Sequence, residues 1–125
     1  MRTHHLTYLL AAGLLASLAL APPVIAGQME TLTMGGTFEY VLEGTPGTGA
    51  DWSFDADASE GAHIVEVEAL GYGEPDGELI GGPAPFTFRI TPLEPGAARL
   101  VFNYGRSWET EPFRTQVLRV KVRAQ

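Results

Sequence analysis

The sequence predicts an all-β domain of seven short strands, and three observations carry that reading. Beyond residue 26 the apolar residues show no 3.6-residue period. Stretches of two-residue alternation recur instead. Clusters of Gly and Pro separate these stretches, drawn from 15 Gly and 9 Pro in 125 residues.

The first 26 residues stand apart from the fold. Arg2, His4 and His5 precede an apolar run from Leu9 to Ala21, and Val24-Ile25-Ala26 places small or short apolar groups where a signal peptidase needs them. A secretory signal over 1–26, cut after Ala26, is therefore expected, with one domain over 27–125. An uncleaved anchor is the competing reading, but the apolar run is short of the roughly 20 residues that span a bilayer, and Pro22-Pro23 ends it. A secreted or periplasmic location follows as an expectation, as does the absence of membrane attachment once the signal is gone.

The strands follow in order. Thr31 to Met34 makes a short first piece. Phe38, Tyr40 and Leu42 share one face of the second, against Glu39, Val41 and Glu43 on the other. Trp52 to Phe54 is a short third, and Trp52 is the expected buried tryptophan. In the fourth, from Ile64, the residues Val65, Val67 and Ala69 oppose Glu66 and Glu68, as in a sheet wet on one side. Phe86, Phe88 and Ile90 form the fifth. Leu93-Glu94-Pro95-Gly96 then turns the chain into Ala98, Leu100, Phe102 and Tyr104. Leu118, Val120 and Val122 make the last strand, with Arg119, Lys121 and Arg123 outward. Seven such strands, with no helix to cover one sheet, bury themselves best as two sheets face to face, an immunoglobulin-like sandwich. A small barrel is the second architecture.

Composition removes several functions. The chain has no Cys, so it has no disulfide, no thiolate metal site and no thiol nucleophile. With 8 Lys and Arg against 15 Asp and Glu, the formal charge is −7, and the short run Arg119-Val120-Lys121-Val122-Arg123 is too little for a nucleic-acid interface. After signal removal only His63 is left to serve as a base, beside Ile64 at a strand start, and no carboxylate pair stands out. The chain reads as no enzyme. Asp55, Asp57, Ser59 and Glu66 share part of the spacing of a calcium loop, yet Glu60 occupies the position that needs glycine and the flanks read as strands. A polar connection between strands accounts for that segment. No metal or other cofactor is expected.

Three loops have a different character. Gly44-Thr45-Pro46-Gly47-Thr48-Gly49 has no lysine and no following helix, so it is not a phosphate loop. Pro46 and the glycines make it a stiff, protruding turn. Gly81-Gly82-Pro83-Ala84-Pro85 precedes the fifth strand, and Gly105-Arg106-Ser107-Trp108-Glu109 follows the sixth. In a seven-stranded sandwich these three connections leave the same end. Arg and Trp in one exposed loop are favoured interface anchors.

These residues resemble the chagasin-type inhibitors of papain-like cysteine peptidases. That family shows an Asn-Pro-Thr-Thr-Gly-x-x-Trp loop, a Gly-Gly loop ahead of a Phe-Thr-Phe strand, and an Arg-Pro-Trp loop, in that order. Here the order is Thr45-Pro46-Gly47-Thr48-Gly49-Ala50-Asp51-Trp52, then Gly81-Gly82 with Phe86-Thr87-Phe88, then Arg106-Ser107-Trp108. Thr45, Gly47 and Ser107 depart from the family pattern, and each departure loosens a loop tip. The resemblance implies a monomeric inhibitor whose partner is a papain-like cysteine peptidase. It places Thr48 over the catalytic cysteine, Pro46 to Gly49 in the cleft, Gly81 and Gly82 on one flank, and Arg106 with Trp108 on the other. Two other classes remain open from the residues alone: an adhesion or assembly module using the same loops, and a carbohydrate-binding module with Trp108, Tyr104 and Tyr72 as stacking platforms.

Overall fold

The computed structural model describes residues 28–75 and 81–125, so the expected signal segment over 1–26 lies outside the described residues. Seven strands follow one another: β1 (Gln28–Thr33), β2 (Phe38–Gly44), β3 (Asp51–Glu60), β4 (Val65–Tyr72), β5 (Ala84–Pro92), β6 (Gly96–Gly105) and β7 (Arg114–Arg123). They form two sheets, β1-β7-β6-β3 and β2-β5-β4, packed face to face. This is the expected immunoglobulin-like sandwich. Its first strand sits beside β7 and runs parallel to it, with Gln28 opposite Leu118 and Thr33 opposite Arg123.

Alternation builds the core. Ala84, Phe86, Phe88, Ile90 and Pro92 of β5 are all buried, as are Ala98, Leu100, Phe102 and Tyr104 of β6 and Leu118, Val120 and Val122 of β7. Phe102 is the hub, with ring centroids 4.8 Å from Phe88, 5.1 Å from Tyr40 and 5.4 Å from Phe54. Trp52 is buried at 5% exposure, so aromatic and aliphatic packing replaces the cross-sheet disulfide many such sandwiches carry.

Three strands differ from the sequence reading. β1 starts earlier, at Gln28, and ends at Thr33. β3 runs on to Glu60, through the segment read as a polar connection. A register shift between Asp55 and Glu60 is stabilised by side chains: Asp55 Oδ1 accepts from the Ala58 N–H at 3.1 Å, and Ser59 Oγ accepts from the Val101 N–H at 2.9 Å. A hydroxyl thus takes the place of a lost ladder bond. The other Asp55 oxygen, Oδ2, accepts from Asn103 Nδ2 at 3.0 Å, so this carboxylate is committed to the sheet.

β4 begins at Val65, because Ala62–Ile64 forms a 3-10 turn that contains His63. Ala69, expected on the apolar face, is exposed on this edge strand. A second register shift, between Ala69 and Gly71, absorbs Leu70 and sets Tyr72 opposite Phe86, their rings 5.0 Å apart. Gly71 has φ +89°, which a residue with a side chain adopts only under strain.

Candidate functional site

The β2–β3, β4–β5 and β6–β7 connections leave one end of the sandwich, and contacts between them show that they meet there. In the first loop Pro46–Thr48 winds one 3-10 turn and Gly49 closes it at φ +78°. The Thr45 carbonyl accepts from the Thr48 N–H at 3.2 Å and from Thr48 Oγ1 at 2.7 Å, and the Pro46 carbonyl accepts from the Gly49 N–H at 3.2 Å. The loop therefore satisfies its own polar groups and keeps its shape without a partner.

Beneath this loop lies an aromatic pedestal. Tyr104 Oη accepts from the Thr45 N–H at 2.9 Å, and Tyr72 Oη donates to the Ala50 carbonyl at 2.7 Å. The Glu43 carbonyl accepts from Trp52 Nε1 at 3.0 Å and from Arg114 Nη2 at 3.1 Å. The Arg114 guanidinium lies 4.8 Å from the Tyr104 ring centroid and 5.4 Å from that of Trp52. Both stems are thus held by side chains from four strands. Gly44 is required here, because a Cβ would collide with the Tyr72 hydroxyl and stand 2.9 Å from Tyr104 Cε1. Burial pushes the Tyr72 hydroxyl well above the usual tyrosine range, and its neighbour Tyr104 adds to the shift.

The other loops lean on the first. In the second, Gly81 has φ +80°, and a Cβ on Gly47 would lie only 4.0 Å from its Cα, so the two backbones run close together. Gly81 is exposed and Gly82 half-buried. In the third, Arg106 Nε donates to the Thr48 carbonyl at 2.9 Å, Nη1 pairs with Glu109 Oε1 at 3.1 Å, and the guanidinium lies 4.9 Å from the Phe113 ring centroid. Trp108 is 70% exposed, yet a Cβ on Gly49 would stand 2.9 Å from its Cη2, so the indole rests over the first loop.

Of the nine residues singled out in the sequence, Thr48 and Arg106, Gly49 and Trp108, and Gly47 and Gly81 are brought together in pairs. Pro46 is exposed beside them, Thr45 is half-buried on the pedestal, and Gly82 continues the second loop. Arg106 has a role beyond the one expected of it: its Nε braces the third loop to the first, while its Nη1 pairs with Glu109 inside the third loop. The pedestal of Gly44, Tyr72, Tyr104 and Arg114 was missed. Tyr104 was read on the sixth strand, and both it and Tyr72 as sugar platforms, a role their inward packing under the first loop forecloses.

Among the described residues, no three His, Asp or Glu side chains cluster as a metal site. His63, 3.3 Å from Glu94, sits on the β3–β4 connection at the other end of the sandwich. What the loops present is a braced, pre-shaped surface, with Pro46, Gly47, Thr48, Gly49, Gly81 and Trp108 open to solvent.

Comparison with known proteins gives this geometry a context. A family model described as Chagasin family peptidase inhibitor I42 matches residues 31–122. Among solved structures, the solution structure of amebosin is similar at TM-score 0.54 and 26% identity, over 78% of this chain and all of that one. The cysteine protease inhibitor EhICP2 from Entamoeba histolytica is similar at TM-score 0.52 and 23% identity, over 82% of this chain and 100% of that one. PbICP-C, solved in complex with falcipain-2, is similar at TM-score 0.51 and 19% identity, over 84% of this chain and 96% of that one. No curated protein matches the sequence.

Proposed function

Since this chain belongs to the chagasin family of peptidase inhibitors, we propose that it is a reversible inhibitor of papain-like cysteine peptidases that blocks the active-site cleft with its three loops. The observation that carries this reading is the mutual bracing of loops that are distant in sequence into one rigid end. A cysteine protease inhibitor and PbICP-C, solved in complex with falcipain-2, share the fold, which supports a peptidase of this class as the partner.

Thr48 at the tip would sit over the catalytic cysteine, with Pro46 to Gly49 filling the cleft. Its hydroxyl and carbonyl are already engaged, by Thr45 and Arg106, so binding need not order them. Gly81 and Gly82 would let backbone approach one wall, and the exposed Trp108 would anchor the other. An interface of about 1,600 Å² in total suffices for tight binding when its centre is well packed. No bond to the enzyme forms and none in the inhibitor breaks. The protein would act as a monomer over residues 27–125, secreted or periplasmic after loss of 1–26.

The test is to titrate papain and a cathepsin-type enzyme with the purified protein, following peptide hydrolysis and then intact mass. One-to-one loss of activity with an uncut inhibitor supports the reading; full activity, or progressive cleavage of the chain, contradicts it.

A further inference from the structure

The cations of this acidic protein are segregated. Arg89 pairs with Glu39 and Glu68 at 3.8 and 3.5 Å on the outer face of the β2-β5-β4 sheet. Arg106 and Arg114 are engaged at the loop end. The other four among the described residues, Arg99, Arg119, Lys121 and Arg123, share the outer face of the opposite sheet, and none makes an ion pair within 4 Å. Arg119, Lys121 and Arg123 alternate with buried Leu118, Val120 and Val122, so they form a straight row spaced by about 7 Å. Arg99 stands directly across from Arg119. Like charges in that relation destabilise a sheet, and a bound anion removes the repulsion.

Arg119 and Lys121 of this row line an open groove of about 760 Å³, whose walls include Met29, Thr31, Ala97 and Arg99, and Arg123 continues the row beyond it. Met29, Thr31 and Thr33 of β1 run in register beside Arg119, Lys121 and Arg123, which places hydroxyls next to the cations. Glu60 is the acid lining the groove, and the three cations that line it, Arg99, Arg119 and Lys121, outnumber it.

We propose that this groove binds a linear anionic polysaccharide, carboxylated or sulfated, independently of the inhibitory loops. A thin chain of evenly spaced charges follows a straight row along a groove, whereas a plane of lipid headgroups meets a groove less closely. Single-stranded nucleic acid needs aromatic platforms, and the outward residues of β1, β6 and β7 include none. A second copy offering its Glu39–Arg89–Glu68 face would bring acids that are already paired.

The test is binding of the purified protein to heparin and to polygalacturonate at low and at raised salt, alongside phosphatidylserine vesicles and sedimentation of the protein alone. The expected result is salt-sensitive binding to at least one polysaccharide, weakened about tenfold in an Arg119→Gln/Lys121→Gln variant and unchanged in Arg89→Gln. The double variant keeps or raises its thermal midpoint, since the Arg99–Arg119 repulsion is gone, and keeps its inhibition of papain, which separates this groove from the loops. No binding to either polysaccharide, equal binding by the double variant, tighter binding to vesicles, or self-association abolished by the double variant would each overturn the proposal.

Discussion

Arg106 and Thr48 lie 58 positions apart in the chain, and a 2.9 Å hydrogen bond from Nε to the carbonyl oxygen ties them together. The bond joins the third loop to the tip of the first, and Glu109 holds the guanidinium in place at 3.1 Å. Arg106→Ala is expected to weaken inhibition by about 1 to 2 kcal/mol, because the loops must then be ordered on binding. The bond is partly exposed, so the thermal midpoint should change little. Inhibition constants against papain, with melts of both proteins, check this.

Trp108 contributes in another way. Exposed at 70%, it adds little to the fold and much to a contact surface. Trp108→Ala should cost about 2 kcal/mol or more in binding with no loss of stability, measured by the same two assays. An unchanged inhibition constant removes Trp108 from the interface.

At Gly49 two constraints coincide. Its φ of +78° disfavours any side chain, and a Cβ would stand 2.9 Å from the Trp108 ring. Gly49→Ala is expected to cost about 1 kcal/mol of stability and to push the indole aside, so inhibition weakens as well. Denaturant melts and tryptophan fluorescence of the variant report the two effects separately.

How far the sequence foretold this arrangement depends on the range of the interaction involved. Alternation in Phe86-Phe88-Ile90 and Leu118-Val120-Val122 is local, and it located the strands. The three loops were legible for the same reason, since Pro46, Gly47 and Gly81-Gly82 declare their backbone needs within a few residues. The role of Arg106 was not, because its acceptor lies 58 residues away. Tyr72 was equally hidden: only the register shift after Ala69 turns it inward. The extension of β3 through Asp55-Ala56-Asp57-Ala58-Ser59 was masked by polar residues, whose side chains repair the ladder where the strand bulges.

Tyr40 presents the reverse of a brace. Its hydroxyl is buried, with the Gln116 side chain as a polar neighbour but no hydrogen bond of good geometry among the described residues. Removing an unpaired buried polar group costs nothing and relieves desolvation, so Tyr40→Phe should leave stability unchanged or raise it by about 1 kcal/mol. Urea melts of the variant decide the matter, and a clear loss would show that the hydroxyl has a partner.

Alkaline pH probes both tyrosines. Burial holds the hydroxyls of Tyr40 and Tyr72 above their ordinary value of 10.0 in the folded state. Above that value the unfolded chain releases protons that the folded chain keeps. Their contribution to stability is therefore fully present below pH 10 and declines as pH rises beyond it. Melts across this range should show the decline, and Tyr72→Phe should make it shallower. Despite its burial, Tyr104 is held below 10.0 by hydrogen bonds with Thr45, Thr48 and Tyr72, so it opposes the decline. An unchanged profile in Tyr72→Phe is therefore what would contradict the burial assigned to Tyr72.

The claim that the loops stop up the cleft meets its most direct test in the alkylation rate of the catalytic cysteine of papain by iodoacetamide, measured with and without saturating inhibitor. Occlusion centred on Thr48 predicts that the rate falls at least about tenfold with the wild-type protein. It also predicts that the rate is restored when Thr48→Arg replaces it. An unchanged alkylation rate under conditions where peptide hydrolysis is blocked would place the contact away from the cysteine and contradict the account.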